Sequence, residues 1–163
     1  MDVSETLIGL AEIAVALAGF TGVVVAFGSR SQGAWHAGDR LRLAFLLEAS
    51  LSAAGFALLG LLLFSTQLSS AVAWSLSSLA WSAYMLLSLF TARQAIKRNH
   101  TEHGDVDRWS NRITGMVFML MIAAQICNAL WWQEFAPFLA AVILNLVGAA
   151  MQFARLIRSA FQG

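Results

Sequence analysis

Residues Leu7–Gly28 read LIGLAEIAVALAGFTGVVVAFG. A helix of about 20 apolar residues spans a hydrocarbon core about 30 Å thick, so this stretch is long enough to cross a bilayer. It carries one carboxylate, Glu12, which hydrocarbon does not tolerate without a partner. At about 100° per residue, Glu12 shares one side of the helix with small residues that include Gly19 and Gly22, and bulky apolar residues occupy the other side. The segment predicts a transmembrane helix that turns a smooth acidic groove towards other helices.

The composition of the whole chain is that of a membrane protein. Of its 163 residues, 59% are hydrophobic and 12% are charged, which lies outside the range of soluble globular domains. The N-terminal residues MDVSET contain no positive charge and no cleavage signal follows the first apolar run, so we expect that run to stay in the mature protein. The pattern predicts one all-α transmembrane domain over residues 1–163, a polytopic bundle. Its five helices are predicted at about 7–28, 41–65, 71–99, 106–132 and 138–158.

The positive charges predict how such a bundle is oriented. All ten Lys and Arg residues fall in or beside the loop after the first segment, in the polar stretch 93–112 or near the C-terminus. If each of the five segments crosses the membrane once, these three places lie on the same side. The positive-inside rule makes that side the cytoplasm, with the N-terminus outside and the C-terminus inside.

Two acidic residues lie within apolar segments. Glu12 is about one and a half turns from the outer end of the first segment, and Glu48 is at a similar depth from the inner end of the second. The stretches EIAVALAGF and EASLSAAGF that begin at these residues share the form Glu-x3-small-x2-Gly-Phe. In helices that cross in opposite directions this would be an inverted repeat, as in transporters, although Ala, Gly and Phe are frequent enough here for chance to explain it.

The two acids have two interpretations. Each could be a functional site for a proton or an ion, or each could form a structural hydrogen bond inside the bundle. The glycines on the same stripes, Gly19 and Gly22 in the first segment and Gly55 in the second, favour close helix contacts within a subunit or between copies.

Uncharged amides extend the polar pattern into the last two segments. Gln125 and Asn128 lie in the fourth segment, and Asn145 lies near the middle of the fifth. With the two acids they could form a polar path for protons or a small cation. Alternatively, they could simply join helices, because Asn and Gln hydrogen bonds are common between membrane helices.

Motifs of other function classes do not occur. The sequence has no phosphate-binding Gly-rich loop, no HExxH and no GxSxG, so we expect no enzyme and no cofactor. Cys127 is the only cysteine and cannot form an intrachain disulfide. The stretch NHTEHGDVD at 99–107 has metal-ligating residue types, but we interpret it as a solvated loop and predict no metal site.

The run AEIAVALAGFTGVVVAFG, followed by a basic loop and LLEASL, resembles small bacterial inner-membrane proteins of no assigned activity. The resemblance covers the first two segments and implies a multi-pass protein of the bacterial inner membrane. The carboxylate near the start of the first helix is also similar to that of the small multidrug-resistance exporters. Those proteins have four segments and shorter chains, and the one-sided charge departs from their dual-topology members, so no residue roles are transferred.

Together these features predict a small homo-oligomeric channel or transporter for protons or small ions. Glu12 would be its outer titratable site, Glu48 its inner one, and Gln125, Asn128 and Asn145 would line the path. One alternative is a non-catalytic membrane subunit that docks another membrane protein through the Gly/Ala-rich first helix. A further alternative is a signalling module whose polar stretch 93–112 contacts a cytoplasmic partner. The lipid bilayer is an expected partner in each case, and nucleic acid is not.

Overall fold

The computed structural model describes most of the chain. Backbone is described for residues 2–31, 37–103 and 108–162, and side chains for residues 2–23, 40–95, 97 and 112–158. Within these ranges the protein is all-α. Its helices are α1 (Val3–Ser31), α2 (Ala37–Phe64), α3 (Ser70–His103), α4 (Arg108–Cys127) and α5 (Phe135–Gln162). The π-helix Asn128–Trp132 continues α4.

All five helices, with α4 counted through its π-helical end, are long and apolar enough to cross a membrane. This confirms the predicted all-α fold with five long apolar helices. The side chains of the histidine-containing stretch 99–107 lie outside the described residues.

Most of the helices are longer than their apolar segments predict. The first begins at Val3 rather than near residue 7, because Asp2 caps it: the Ser4 backbone N–H donates to Asp2 Oδ1 at 2.9 Å. The third continues through polar residues to His103, and the fifth already begins at Phe135. Hydropathy marks the part of a helix that suits hydrocarbon, whereas capping and backbone hydrogen bonding decide where the helix ends.

The chain forms two compact units. Unit 1 comprises Met1–Leu61 and Val142–Gly163, and thus α1, most of α2 and most of α5. Unit 2 comprises Leu62–Ala141, and thus α3, α4, the π-helix and the first turns of α5. The single transmembrane domain stays a prediction.

Small and polar side chains make up much of the buried surface, and large apolar side chains are exposed on the helices. Exposed fractions reach 63% for Phe20 on α1, 61% for Leu62 on α2, 63% for Leu87 on α3 and 65% for Leu120 on α4. Soluble proteins rarely expose so much contiguous apolar surface, whereas small and polar residues at helix contacts are typical of membrane bundles. The buried small and polar residues include Ala11, Ala14, Ala53, Ala57, Ala73, Ala149, Ser50, Ser77, Ser78, Ser82, Gln125, Asn128 and Asn145.

An aromatic cluster forms around Trp74 in unit 2. The Trp74 ring lies 5.3 Å from that of Phe64, 4.9 Å from that of Phe135 and 5.9 Å from that of Phe138, measured between centroids. Trp74 therefore joins the start of α3 to the end of α2 and to the start of α5, where stacked and tilted rings are favourable.

The chain reverses between the π-helix and α5 at Gln133, whose φ of 55° is left-handed. A side chain in this region costs about 1–2 kcal/mol, and only glycine adopts it freely. We expect Gln133→Gly to raise the free energy of unfolding by up to about 1 kcal/mol and Gln133→Val to lower it by about 1 kcal/mol, because a β-branched residue is strained there.

A denaturation series in mild detergent measures this difference. The same pair of substitutions at Gln152, inside α5, is the control. There the order should reverse, because glycine is a poorer residue than valine in a helix interior. Equal effects of glycine and valine at Gln133 would contradict the left-handed turn.

Candidate functional site

Glu12 lies on an exposed face of α1. It lies about two and a half turns from the start of the helix, inside the apolar stretch Val3–Val23, and its side chain makes no hydrogen bond or ion pair with any described residue. Its surroundings on the helix surface are apolar, with exposed fractions of 44% for Ile8 and 58% for Val15. A carboxyl group in the middle of a long apolar face is the most unusual polar feature of unit 1.

The residues around Glu12 follow a regular spacing. The next exposed positions along this face are separated alternately by four and three residues, which is the spacing of a seam between two packed helices. A Cβ atom added at Gly19 or Gly22 would meet nothing within 4 Å among the described residues, so this face is open. We call it the Glu12 face; it consists of Ile8, Glu12, Val15, Gly19 and Gly22.

The buried residues of α1 lie on a different face of the helix. Leu7, Ala14 and Thr21, which are seven residues apart, are each fully buried. The helical wheel correctly places Ala14 among the small residues on one side of α1. Only part of that side is buried, and Glu12 is not in the buried part. A wheel gives the angles between residues and does not show which part of a wide small face the neighbouring helices cover.

The second acid has a different environment. Glu48 is half-buried on α2, and it has an interaction partner. Gly55, two turns further along, is exposed, and a Cβ atom there would also meet nothing within 4 Å among the described residues. The two similar sequence stretches therefore place their acids differently, with Glu12 exposed and Glu48 partly covered.

Asn128 is at the centre of a hydrogen-bond network in unit 2. It is fully buried, and its Nδ2 donates to Ser78 Oγ at 2.8 Å and to the Glu134 carbonyl at 2.9 Å. Its Oδ1 accepts from the Glu134 backbone N–H at 3.0 Å. One amide side chain thus joins α4 to α3 and also satisfies both backbone groups of the residue that precedes α5.

The π-helix changes the hydrogen-bond partners of the neighbouring backbone groups. The Gln133 N–H donates to the Asn128 carbonyl at 2.7 Å, five residues back, instead of to Ala129 as in an α-helix. The Ala129 carbonyl accepts from Ser75 Oγ on α3 instead. Buried backbone groups need partners, so the irregular end of α4 is held by α3 side chains.

Gln125 makes a second link to α5. It is fully buried, and its Nε2 donates to the Pro137 carbonyl at 2.6 Å. Its Oε1, the indole Nε1 of Trp81 and Oγ of Ser50 are buried polar atoms without a hydrogen-bond partner among the described groups of the protein.

Asn145 forms one long hydrogen bond in unit 1. Its Nδ2 lies 3.4 Å from Ser52 Oγ, and the residue is 1% exposed. The bond joins α5 to α2. At this length it is weaker than the bonds of Asn128.

The five predicted pathway residues therefore fall into two groups with different contacts. Gln125 and Asn128 meet at the same reversal of the chain in unit 2 and use their amide groups to hold it. Glu12, Glu48 and Asn145 belong to unit 1.

Sequence reasoning missed Trp81 and the π-helix. The stripe Ser75, Ser78, Ser82 does predict a close helix contact, since small polar residues at helical spacing mark such contacts. In the structure Ser75 and Ser78 bond to the π-helical end of α4. For the π-helix the chain carries no local signal of this kind.

No group of His, Cys, Asp and Glu that could hold a metal ion occurs among the described residues. Comparison with known proteins finds no matching family, no matching curated protein and no matching solved structure.

Proposed function

We propose that this chain is a multi-pass membrane protein that assembles with copies of itself and conducts protons or small cations past Glu12. The observation that carries the proposal is the exposure of Glu12 in the middle of an apolar helix face. In this proposal the membrane is the bacterial inner membrane, with the N-terminus outside and the C-terminus inside. The one-sided distribution of the ten positive charges supports that orientation.

The surface of the described residues supports a lipid environment. Large apolar side chains cover the outside of the helices, as hydrocarbon requires. Trp131 and Trp132, 71% and 56% exposed, lie at the end of the π-helix beside the polar residues Gln133 and Glu134. Tryptophan is typical of the membrane–water interface, so this corner fits the outer surface.

In such a membrane Glu12 needs a partner. A charged residue at the centre of a membrane helix costs about 2.5–3.5 kcal/mol, and such residues face other helices or water rather than lipid. No described residue forms a hydrogen bond or an ion pair with the carboxyl group, and in this proposal a second copy of the chain supplies the partner.

A second copy of this chain fits the Glu12 face. Copies with the same orientation in a membrane bring identical residues to the same depth, so two α1 helices that meet along this face bring two Glu12 side chains together. Two neighbouring carboxyl groups can hydrogen-bond to each other, so each supplies the partner that the other lacks in hydrocarbon. Gly19 and Gly22 on the same face allow the two backbones to approach.

This arrangement supplies the chemistry of a proton path. A Glu12 carboxylate accepts a proton from water on one side, and the carboxylic acid that forms releases it to water on the other. The group is unchanged after each cycle, so the gradient alone drives the flow. Glu48 is the inner site of the proposed path. Gln125 and Asn128 have structural roles in this proposal, because their amides hold the chain reversal.

Proton flux into vesicles tests the proposed activity. Purified protein in vesicles that contain a pH-sensitive dye should acidify the interior when an outward potassium gradient and a potassium ionophore set a negative potential inside. Protein-free vesicles give the background rate. Flux at the background rate, from protein that is folded and inserted, would contradict the proposal.

Cysteine cross-linking tests the contact between copies. In a Cys127→Ala background, we expect Val15→Cys to form a disulfide-linked dimer in the membrane under mild oxidation. Ile13→Cys is the matched control, because Ile13 is also 58% exposed on α1 but lies outside the Glu12 face. Gel electrophoresis without reductant measures both. Equal dimer yields at the two positions would contradict an interface along this face.

The open glycines also favour a second candidate function, in which the Glu12 face docks a different membrane protein. That candidate predicts a stoichiometric second protein after purification in mild detergent. It also predicts little dimer from Val15→Cys, so the cross-linking experiment separates the two.

A further inference from the structure

Two unpartnered polar groups lie inside unit 2, and they are chemically complementary. The indole Nε1–H of Trp81 is a donor and the Oε1 of Gln125 is an acceptor. Both residues are fully buried, and neither group has a hydrogen-bond partner among the described groups of the protein. Buried polar groups are nearly always hydrogen-bonded, so two orphans in one small unit require an explanation.

The orientation of the Gln125 amide is decided by its other contact. Nε2 lies 2.6 Å from the Pro137 carbonyl oxygen, an acceptor. If the amide were turned over, two acceptor oxygens would face each other at this distance, which is repulsive. The oxygen is therefore the unpartnered atom, and it needs a donor.

The helix register places the two groups at the same level. Asn128, at the π-helical end of α4, bonds to Ser78 on α3, and Ala129 bonds to Ser75, so the two helices run in opposite directions here. Three residues further along α3 is Trp81, and three residues back along α4 is Gln125. The two orphans are therefore level with each other on neighbouring helices.

Both groups are shielded from bulk solvent. Trp81 and Gln125 have no solvent exposure, and Ser77 and Ser82 on the same part of α3 are also buried. A water molecule can accept the indole hydrogen and donate to the amide oxygen at the same time, and its second hydrogen can reach a hydroxyl or carbonyl oxygen. Buried waters in proteins typically make about three such bonds.

We propose that one buried water molecule bridges Trp81 Nε1 and Gln125 Oε1 and joins α3 to α4. It would be a third link between α3 and the end of α4, separate from the Asn128–Ser78 and Ser75–Ala129 bonds. This inference depends only on unit 2 and is independent of the proposed conduction at Glu12.

Nuclear magnetic resonance of the indole N–H groups tests the bridge. Protein labelled with 15N-tryptophan has six tryptophans and hence six indole signals, and the Trp81→Phe variant identifies the one from Trp81. We expect the Trp81 indole hydrogen to show cross-relaxation with a water hydrogen and yet to exchange slowly with deuterium in the solvent. Trp131, which is 71% exposed, is the control and should exchange quickly.

The variant Gln125→Met removes the acceptor at similar side-chain length. We expect it to abolish the water signal at Trp81 and leave the signals of the other indole groups in place. Absence of a water contact at Trp81 in the unaltered protein would overturn the proposal, and so would a water contact that persists in Gln125→Met. The spectrum of the unaltered protein decides the question even if the variant does not fold.

Discussion

Asn128→Leu is expected to lower the free energy of unfolding by about 2–3 kcal/mol, because three hydrogen bonds, one buried and two partly buried, are lost at once. The variant leaves the Glu134 backbone N–H and carbonyl and the Ser78 hydroxyl without the amide that pairs them. Leucine has a similar branched shape, so the loss reports hydrogen bonding more than volume. The loss is large because one side chain both joins two helices and holds the chain reversal.

Asn145→Leu is the matched control for this prediction. Asn145 is equally buried, but it makes one hydrogen bond of 3.4 Å, to Ser52 Oγ. We expect this variant to lose less than about 1 kcal/mol. Unfolding with a denaturing detergent, followed by helical circular dichroism, measures both variants. Equal losses would contradict the network around Asn128.

The sequence predicts the helices well because a single physical requirement governs them. A helix that crosses hydrocarbon needs a long apolar run, and such runs are visible at Leu7–Gly28 and in the other four segments. The helix ends are less predictable, since they depend on local bonds such as the cap that Asp2 provides. The π-helix depends on Ser75 and Asn128, which lie far apart in the sequence.

The candidate site was only partly predictable for a related reason. Hydropathy identifies Glu12 and Asn128 as unusual, because each polar group stands in an apolar run. Their partners are set by tertiary packing. The Asn128 side chain points towards the chain reversal and bonds to it, whereas Glu12 lies on an exposed face. The periodicity of α1 groups small residues on one side, and only the positions of the neighbouring helices show that Leu7 and Ala14 are the buried ones.

Glu12→Gln is expected to reduce proton flux by about a hundredfold. Glutamine keeps the shape and hydrogen-bonding capacity of the side chain but cannot release a proton. Without a titratable group at this position, the path loses the site that carries the proton. If the barrier then rises by about 3 kcal/mol, the cost of a charged side chain at the centre of a membrane helix, the rate falls about a hundredfold, because each 1.4 kcal/mol is a factor of ten. Assembly should be retained, because an amide can pair with another amide across the interface.

Glu134→Gln is the matched control for this substitution. Its side chain is exposed at the turn before α5, outside the Glu12 face, and its contacts to Asn128 are made by backbone atoms. The same change of charge at this position should leave both flux and stability unchanged.

The most direct test of conduction at Glu12 is therefore the rate of proton entry into vesicles that contain equal amounts of unaltered protein, Glu12→Gln or Glu134→Gln. We predict rapid entry for the unaltered protein and for Glu134→Gln, and a rate close to that of protein-free vesicles for Glu12→Gln. Flux that survives intact in Glu12→Gln would contradict a proton path through this carboxyl group.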